Sequence, residues 1–439
     1  MKIALLSRWM WEENRRAGGP DGPGGTAQQL AEALQDRGHE VVVLTQSDPA
    51  RSNAQLLHRS RLGRLEVWET PRWRRSLMAS PVDKALKFLW GHRKALTDAT
   101  DLFEFLKQRG PFDVLWAQCE EPDGVVAGLA DLISIVPPIL CHTYALRYGF
   151  QGMRPSFTDV WALRFAYSRS RLAVANSPLV ARHMEKDYGT PSTKIRVLPH
   201  NLTRTFLAAT AATADGGANS LTAISSEPGR VLFLGALNRK KGALLFANAA
   251  RLLGYRHESS AEQKMTFVII GGVTDADTKF DAEWRATIAA CKEIAILELP
   301  GKLRAEDVAK EIRRASVVVV PSLFDEWNRA LVEALALGRP VVTTTGVGAH
   351  YLATRDGSGL VVDLIAAESD SDTDNDGPSG RGGGPAAALA DAIARVASEP
   401  GFREAAEAKA AAIRQEFSPE AIAAQLEALL QETMRTTKR

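Results

Sequence analysis

Two short stretches hold the residues best suited to chemistry. One follows the apolar run Val317–Val320: Pro321-Ser322-Leu323-Phe324-Asp325-Glu326-Trp327-Asn328, then Arg329-Ala330-Leu331-Val332-Glu333-Ala334. Asn328 is a good N-cap, so the pattern predicts a helix from Arg329 that stops at Gly338. Its first turn offers unpaired N–H groups and the positive end of a helix dipole, a place for an anion. Asp325 on the approach and Glu333 one turn inside are carboxylates that can accept hydrogen bonds from sugar hydroxyls. Glu333 reads equally well as a partly exposed helix residue. The other stretch, Gly235-Ala236-Leu237-Asn238-Arg239-Lys240-Lys241-Gly242, follows Val231–Leu234. A glycine turn with a basic cluster at the start of a helix suits a diphosphate. The same residues also make an ordinary solvated turn.

Both stretches sit directly after strand-like runs, where open parallel sheets bind their ligands. Ile3–Leu6, a glycine-rich stretch from Gly18 to Gly25, a helix from about Thr26 to Arg37-Gly38, and Val41–Leu44 together make a βαβ unit. Val114–Ala117, Pro138–Cys141, Leu172–Ala175 and Ile195–Leu198 continue the first series. Val231–Leu234, Phe267–Ile270, Ile294–Leu297, Val317–Val320 and Pro340–Thr343 make a second, again with helical segments between. The fold class expected is α/β, two doubly wound Rossmann-like domains. The first spans 1–202 and the second 230–415, joined by an Ala/Thr/Gly/Ser-rich linker over 203–229. A polar insertion over about 368–384 and a helix over 416–439, packing back across the domain junction, complete the organisation.

With 439 residues, the chain is long enough for two cores. A formal net charge of +2 does not mark a nucleic-acid binder. Cys119, Cys141 and Cys291 lack metal-ligand spacing and form no disulfide framework, which fits a reducing, cytoplasmic setting. No acidic or histidine cluster calls for a metal. Gly18-Gly19-Pro20-Asp21-Gly22-Pro23-Gly24-Gly25 is not a G-x-G-x-x-G turn, which argues against a dinucleotide enzyme.

Taken together, these motifs resemble the retaining glycosyltransferases of the GT-B fold, the glycogen-synthase-like family 4 group. The resemblance rests on the acidic-x7-Glu pair Asp325 and Glu333 after Pro321-Ser322, and on Gly235, Leu237, Lys241 and Gly242. Pro340-Val341-Val342-Thr343-Thr344, Gly346, Gly348, and Gly24-Gly25 before the helix that ends at Arg37-Gly38 complete it. It implies two domains facing a cleft and a nucleoside-diphosphate hexose, UDP- or GDP-linked, as donor. The acceptor implied is a glycan, a lipid-linked sugar or a small molecule, and no cofactor or metal is needed. By the same resemblance, Glu333 holds the donor ribose, Lys241 the diphosphate, and Asp325 the transferred hexose. His142, after the strand ending at Cys141, lines the donor-sugar pocket. Pro300-Gly301-Lys302-Leu303 borders the nucleobase.

The chain departs from that pattern at several positions. Ala236 replaces the diphosphate arginine, for which Arg239 or Arg329 is the expected substitute. Glu326 and Asn328 stand where glycines are usual, and Leu352 where a glutamate is common. A non-catalytic partner subunit and a sugar-nucleotide epimerase on the same architecture are the competing readings. Over residues 68–94, Trp68, Trp73, Phe88 and Trp90 interleave with Arg72, Arg74, Arg75, Lys84, Lys87, Arg93 and Lys94. That stretch suits either peripheral contact with an anionic membrane or packing of the tryptophans on the first sheet.

Overall fold

A computed structural model describes residues 1–7, 23–46, 58–70, 95–119, 123–143, 157–211, 224–258, 264–273, 278–369 and 384–435. They fall into two compact units: Met1–Thr203 with Phe417–Arg439, and Arg204–Glu416.

The first unit holds eight strands among the described residues: β1 (Lys2–Leu6), β2 (Glu40–Gln46), β3 (His58–Leu62), β4 (Leu65–Thr70), β5 (Val114–Ala117), β6 (Ile139–Thr143), β7 (Leu172–Ala175) and β8 (Ile195–Val197). Their order is β3-β4-β2-β1-β5-β6-β7-β8, parallel throughout except for β3 against β4. Central strands such as β5 and β7 are apolar at every position and fully buried, as expected where helices cover both faces of a sheet. The β3–β4 hairpin has no counterpart in the sequence reading. Its outer strand, His58-Arg59-Ser60-Arg61-Leu62, carries almost nothing apolar, and pairing to β4 is what makes it a strand. Arg109, at the end of the helix Ala95–Arg109, ties the edge down by donating to Glu66 (2.8 Å) and Glu40 (2.6 Å). The Arg109 hydrogen bond holds the Glu66 carboxyl down to about 2.

Trp68 belongs to β4, donates to Glu66 at 2.9 Å and sets its ring edge-on to Phe105 at 6.1 Å. This tryptophan therefore packs on the sheet. Residues 71–94, the remainder of the aromatic and basic stretch, lie outside the described residues. No helix among the described residues is long and apolar enough to cross a membrane.

The second unit contains β9 (Arg230–Leu234), β10 (Thr266–Ile270), β11 (Ile296–Gly301), β12 (Val317–Val320), β13 (Val341–Thr344) and β14 (Gly359–Val362). Their order is β11-β10-β9-β12-β13-β14, all parallel. The core lies around Phe233, Phe246, Phe267, Phe280 and Trp284.

Two segments differ from their compositional reading. Residues read as the start of a linker form the helix Arg204–Ala211, with Phe206 buried, and it packs on the helix Ala305–Arg314. One aromatic side chain is enough to seat a short helix that an Ala/Thr-rich window conceals. The start of the polar insertion is likewise occupied by the helix Leu364–Ser369, and residues 370–383 lie outside the described residues. At Phe417 the chain rejoins the first unit, where the Leu202 N–H donates to the Phe417 carbonyl at 2.7 Å. The helix Pro419–Arg435 then packs on the helix Pro23–Asp36, with Ile422, Leu426 and Leu430 buried.

Candidate functional site

The strand order of the second unit reverses between β9 and β12, so the loops following these two strands splay to opposite faces and leave a crevice at their carboxyl ends. The two loops that carry the motifs are the ones joined there. The Leu323 N–H donates to the Lys240 carbonyl at 2.9 Å. Gly242 has φ +72, and a Cβ placed on it would stand 2.0 Å from the Pro321 carbonyl oxygen. Only glycine allows both that backbone conformation and that approach. Asn238 braces the same turn, its Oδ1 accepting from the Lys241 N–H at 2.8 Å.

Side chains complete the junction. Lys241 forms an ion pair with Asp325, and Lys240 one with Glu326 at 3.3 Å. Asp325 is buried, and its carboxylate also accepts from Asn328 Nδ2 at 2.8 Å and from the Trp327 N–H at 3.3 Å. Its backbone is clamped to the loop after β13, donating to Gly346 and accepting from Gly348 at 2.9 and 2.8 Å. Burial pushes the Glu326 carboxyl above the ordinary carboxylate range; Lys240 opposes the shift and the Asp325 charge adds to it.

Asn328 caps the helix Arg329–Ala336, its Oδ1 accepting from the Leu331 N–H at 3.2 Å. It does so at φ +70, the left-handed region that asparagine tolerates better than other residues with a side chain. This is the physical content of the glycine usual at that position: the backbone conformation is kept and a capping side chain is added. Glu333 lies one turn further along the same helix.

The two arginines that stand near the missing guanidinium differ. Arg239 is ion-paired to Glu283 and lies over the Phe280 ring at 5.8 Å, both on the helix Thr278–Lys292. Arg329, by contrast, starts the capped helix, and its Nη1 is buried with no hydrogen-bond partner among the described residues. Gly235 directly follows β9, its N–H donating to the Ile270 carbonyl at 3.1 Å. The sequence reading put the neighbouring strand at Ile294–Leu297; it is β11, Ile296–Gly301, so Pro300 and Gly301 finish the strand and Lys302 follows it. Lys302 is exposed, and its aliphatic stem lies over Gly272 at the end of β10. Leu352 is a fully buried core residue. The structure thus gathers Asp325, Asn328, Arg329 and Lys241 in one place, with Arg239 turned to another helix.

His142, Gly24 and Gly25 belong to the first unit. Gly24 and Gly25 lie in the first turn of the helix Pro23–Asp36, and residues 8–22, with the glycines from Gly18 to Gly22, lie outside the described residues. β6 runs to Thr143, so His142 is inside the strand and not in the loop after it. It is buried, its ring 6.4 Å from that of Trp116. Burial, helped by the charge of His200, holds the imidazole well below its ordinary value near 6.5, so it is neutral at pH 7. The unfolded chain takes up a proton as pH falls through about 6.5 and the folded chain does not, so stability falls with pH below that value. We expect the unfolding free energy from urea denaturation to drop between pH 7.5 and 5.5 with a slope of at most about 1.4 kcal/mol per pH unit from this group. His142→Gln should flatten that part of the dependence; an unchanged slope would contradict it.

Sequence pairings that could reveal the network were present but unread: Lys240 and Lys241 match Glu326 and Asp325 in opposite order, as two loops running side by side require.

Comparison with known proteins agrees with this geometry. Residues 21–201 match the model of the "Glycosyl transferase 4-like domain" and residues 228–372 that of "Glycosyl transferases group 1". Among curated proteins, D-inositol 3-phosphate glycosyltransferase of Paenarthrobacter aurescens is 30% identical over 43% of this chain and 44% of its own length. Its counterpart in Pseudarthrobacter chlorophenolicus is 25% identical over 82% of this chain and 83% of its own. Among solved structures, the sucrose-phosphate synthase of Thermosynechococcus elongatus covers 100% of both chains with a TM-score of 0.64 at 19% identity. Anabaena HepE in complex with UDP and glucose covers 98% of this chain and 99% of its own, with a TM-score of 0.61 at 17% identity. With two parallel-sheet units, the motif loops joined at a switch point, and a family model matched on each half, the chain belongs to the GT-B glycosyltransferases of the family 4 type.

Proposed function

We propose that this protein transfers a hexose from a uridine diphosphate sugar to a hydroxyl acceptor with retention at the anomeric carbon. The observation that carries the proposal is the junction of the loops after β9 and β12, where Lys241 and Arg329 stand beside a capped helix N-terminus. Two cations and a row of backbone N–H groups are what a leaving diphosphate needs as its charge develops. UDP is supported as the nucleotide by HepE, solved with UDP and glucose. The curated relatives, named for glycosyl transfer to D-inositol 3-phosphate, support a small phosphorylated polyol as acceptor.

In this scheme Glu333 accepts from the ribose hydroxyls, and Lys302 flanks the base. Asp325 and Asn328 face the hexose. The bond from the anomeric carbon to the β-phosphate oxygen breaks as the acceptor oxygen bonds on the same face. The acceptor proton passes to that phosphate oxygen. No side chain of this protein bonds to the sugar.

The test is a thermal-shift series with UDP-, GDP- and ADP-hexoses, followed by product analysis with inositol phosphates and the anomeric configuration read by NMR. UDP-selective stabilisation and an axial product from an axial donor are expected. Donor binding with no transfer to any acceptor, or hydrogen exchange at C2 of the hexose, would replace this proposal by a binding subunit or an epimerase. Glu333→Gln should raise the donor KM about tenfold with little change in kcat, because the ribose contact is the same in ground and transition states. A fall in kcat alone would remove that assignment.

A further inference from the structure

Behind the donor-site helix lies a group of cations that the reaction does not use. Arg339, three residues beyond the end of the helix Arg329–Ala336, is 4% exposed, and its Nε has no hydrogen-bond partner among the described residues. Its one side-chain contact there is a 3.4 Å ion pair with Glu407, which is half-exposed. Arg313, in the last turn of the helix Ala305–Arg314, has a buried Nε that is likewise unpartnered. Arg403 lies on the exposed surface of the helix Pro400–Glu416, and Arg414 of the same helix donates to the Ala336 carbonyl.

These charges act on one another. Burial, then Arg313, lowers the Arg339 guanidinium below its ordinary value, and Arg403 adds to the effect. Burial, then Arg414, does the same to Arg313, and Glu407 is the carboxylate opposing both shifts. A guanidinium cannot relieve such crowding by losing its proton near neutral pH. Buried charge is tolerated when it is paired, and a single long contact to Glu407 does not pair three cations. An arrangement of this kind is complete only with an anion carrying more than one charge and several acceptor oxygens. Phosphate meets that description, because planar guanidinium forks match its oxygens two at a time.

We propose that Arg313, Arg339 and Arg403, around Glu407, form a binding site for a phosphate-bearing anion at the far end of the helix Arg329–Ala336 from its donor-binding turn. All four residues belong to the second unit, and none has a role in the proposed donor site. The anion displaces Glu407 toward solvent and takes its place against Arg339.

The experiment uses the full chain saturated with UDP, so that phosphate cannot report on the donor site. Inorganic phosphate and glucose 6-phosphate are titrated separately, with the melting temperature and calorimetric binding as readouts. The wild type should be stabilised by one or both; the tighter of the two tells whether the free ion or its ester is the source. Arg313→Gln and Arg403→Gln should each weaken binding roughly tenfold or more. Arg313→Gln should also raise the melting temperature without phosphate, because it removes like-charge crowding. Glu407→Gln should tighten binding, since it removes the competing carboxylate. No phosphate-dependent stabilisation of the UDP-saturated wild type, or equal stabilisation in Arg313→Gln and Arg403→Gln, would overturn the site.

Discussion

Replacing Gly242 by alanine should destabilise the second unit by roughly 3–5 kcal/mol. Two costs combine. The residue sits at φ +72, where a Cβ costs about 1–2 kcal/mol, and that Cβ would lie 2.0 Å from the Pro321 carbonyl oxygen. A backbone carbonyl on a loop already bonded to its neighbours cannot swing aside as a flexible side chain could. Gly301 provides the control: it has φ +77 but nothing within 4 Å of a Cβ, so Gly301→Ala should cost only the conformational part, about 1–2 kcal/mol. Urea denaturation of both variants decides the point. Equal losses would mean that the contact between the β9 and β12 loops is looser than the structure shows.

The second large effect concerns the missing diphosphate arginine. Arg329→Ala should weaken UDP-sugar binding by about 1.5–3 kcal/mol, or roughly ten- to a hundredfold, whereas Arg239→Ala should cost less than about 1 kcal/mol. The difference follows from what each side chain already does. Arg239 is committed to Glu283 and Phe280, an exposed ion pair whose loss matters little. Arg329 keeps a buried Nη1 without a partner among the described residues, at the first turn of a capped helix, the position from which a guanidinium can reach an anion held by that turn. Isothermal titration with UDP and UDP-glucose separates them. Tight binding by Arg329→Ala with loss in Arg239→Ala would reverse the assignment, and Lys241→Ala calibrates the scale.

Sequence patterning revealed the strands whose apolar runs are continuous. Val114–Ala117, Leu172–Ala175 and Val317–Val320 have the same bounds in the structure, because a strand buried on both faces must be apolar throughout. It missed β3, whose strand character comes from its partner and from charges supplied by other elements. It also missed β14, which opens with a glycine that reads locally as a turn. At the candidate site, the order and spacing of Asp325, Glu333, Lys241 and Gly242 were visible in the chain. What could not be seen is that Lys241 and Asp325 face each other, or that of Arg239 and Arg329, both basic and both near the motif, Arg239 is the one ion-paired to another helix. Pairing across loops depends on sheet order, and one-dimensional spacing does not contain it. Asn328 is the instructive middle case: its capping side chain was legible, while its left-handed backbone was visible only as a departure from glycine.

The return of the chain to the first unit at Phe417 has a consequence for biosynthesis. Residues 204–416 are contiguous and make up the whole second unit, so every residue it needs has been synthesised before the helix Pro419–Arg435 is made. The first unit, although it begins the chain, must wait for that helix, whose Ile422, Leu426 and Leu430 are buried and which packs on the helix Pro23–Asp36. At translation rates of about 5–20 residues per second, the gap is on the order of tens of seconds. During that interval the half that starts the polypeptide keeps an uncovered apolar face while the other half is being made. A nascent chain stalled after the helix Pro400–Glu416 would therefore still present the uncovered face of the helix Pro23–Asp36 to chaperones.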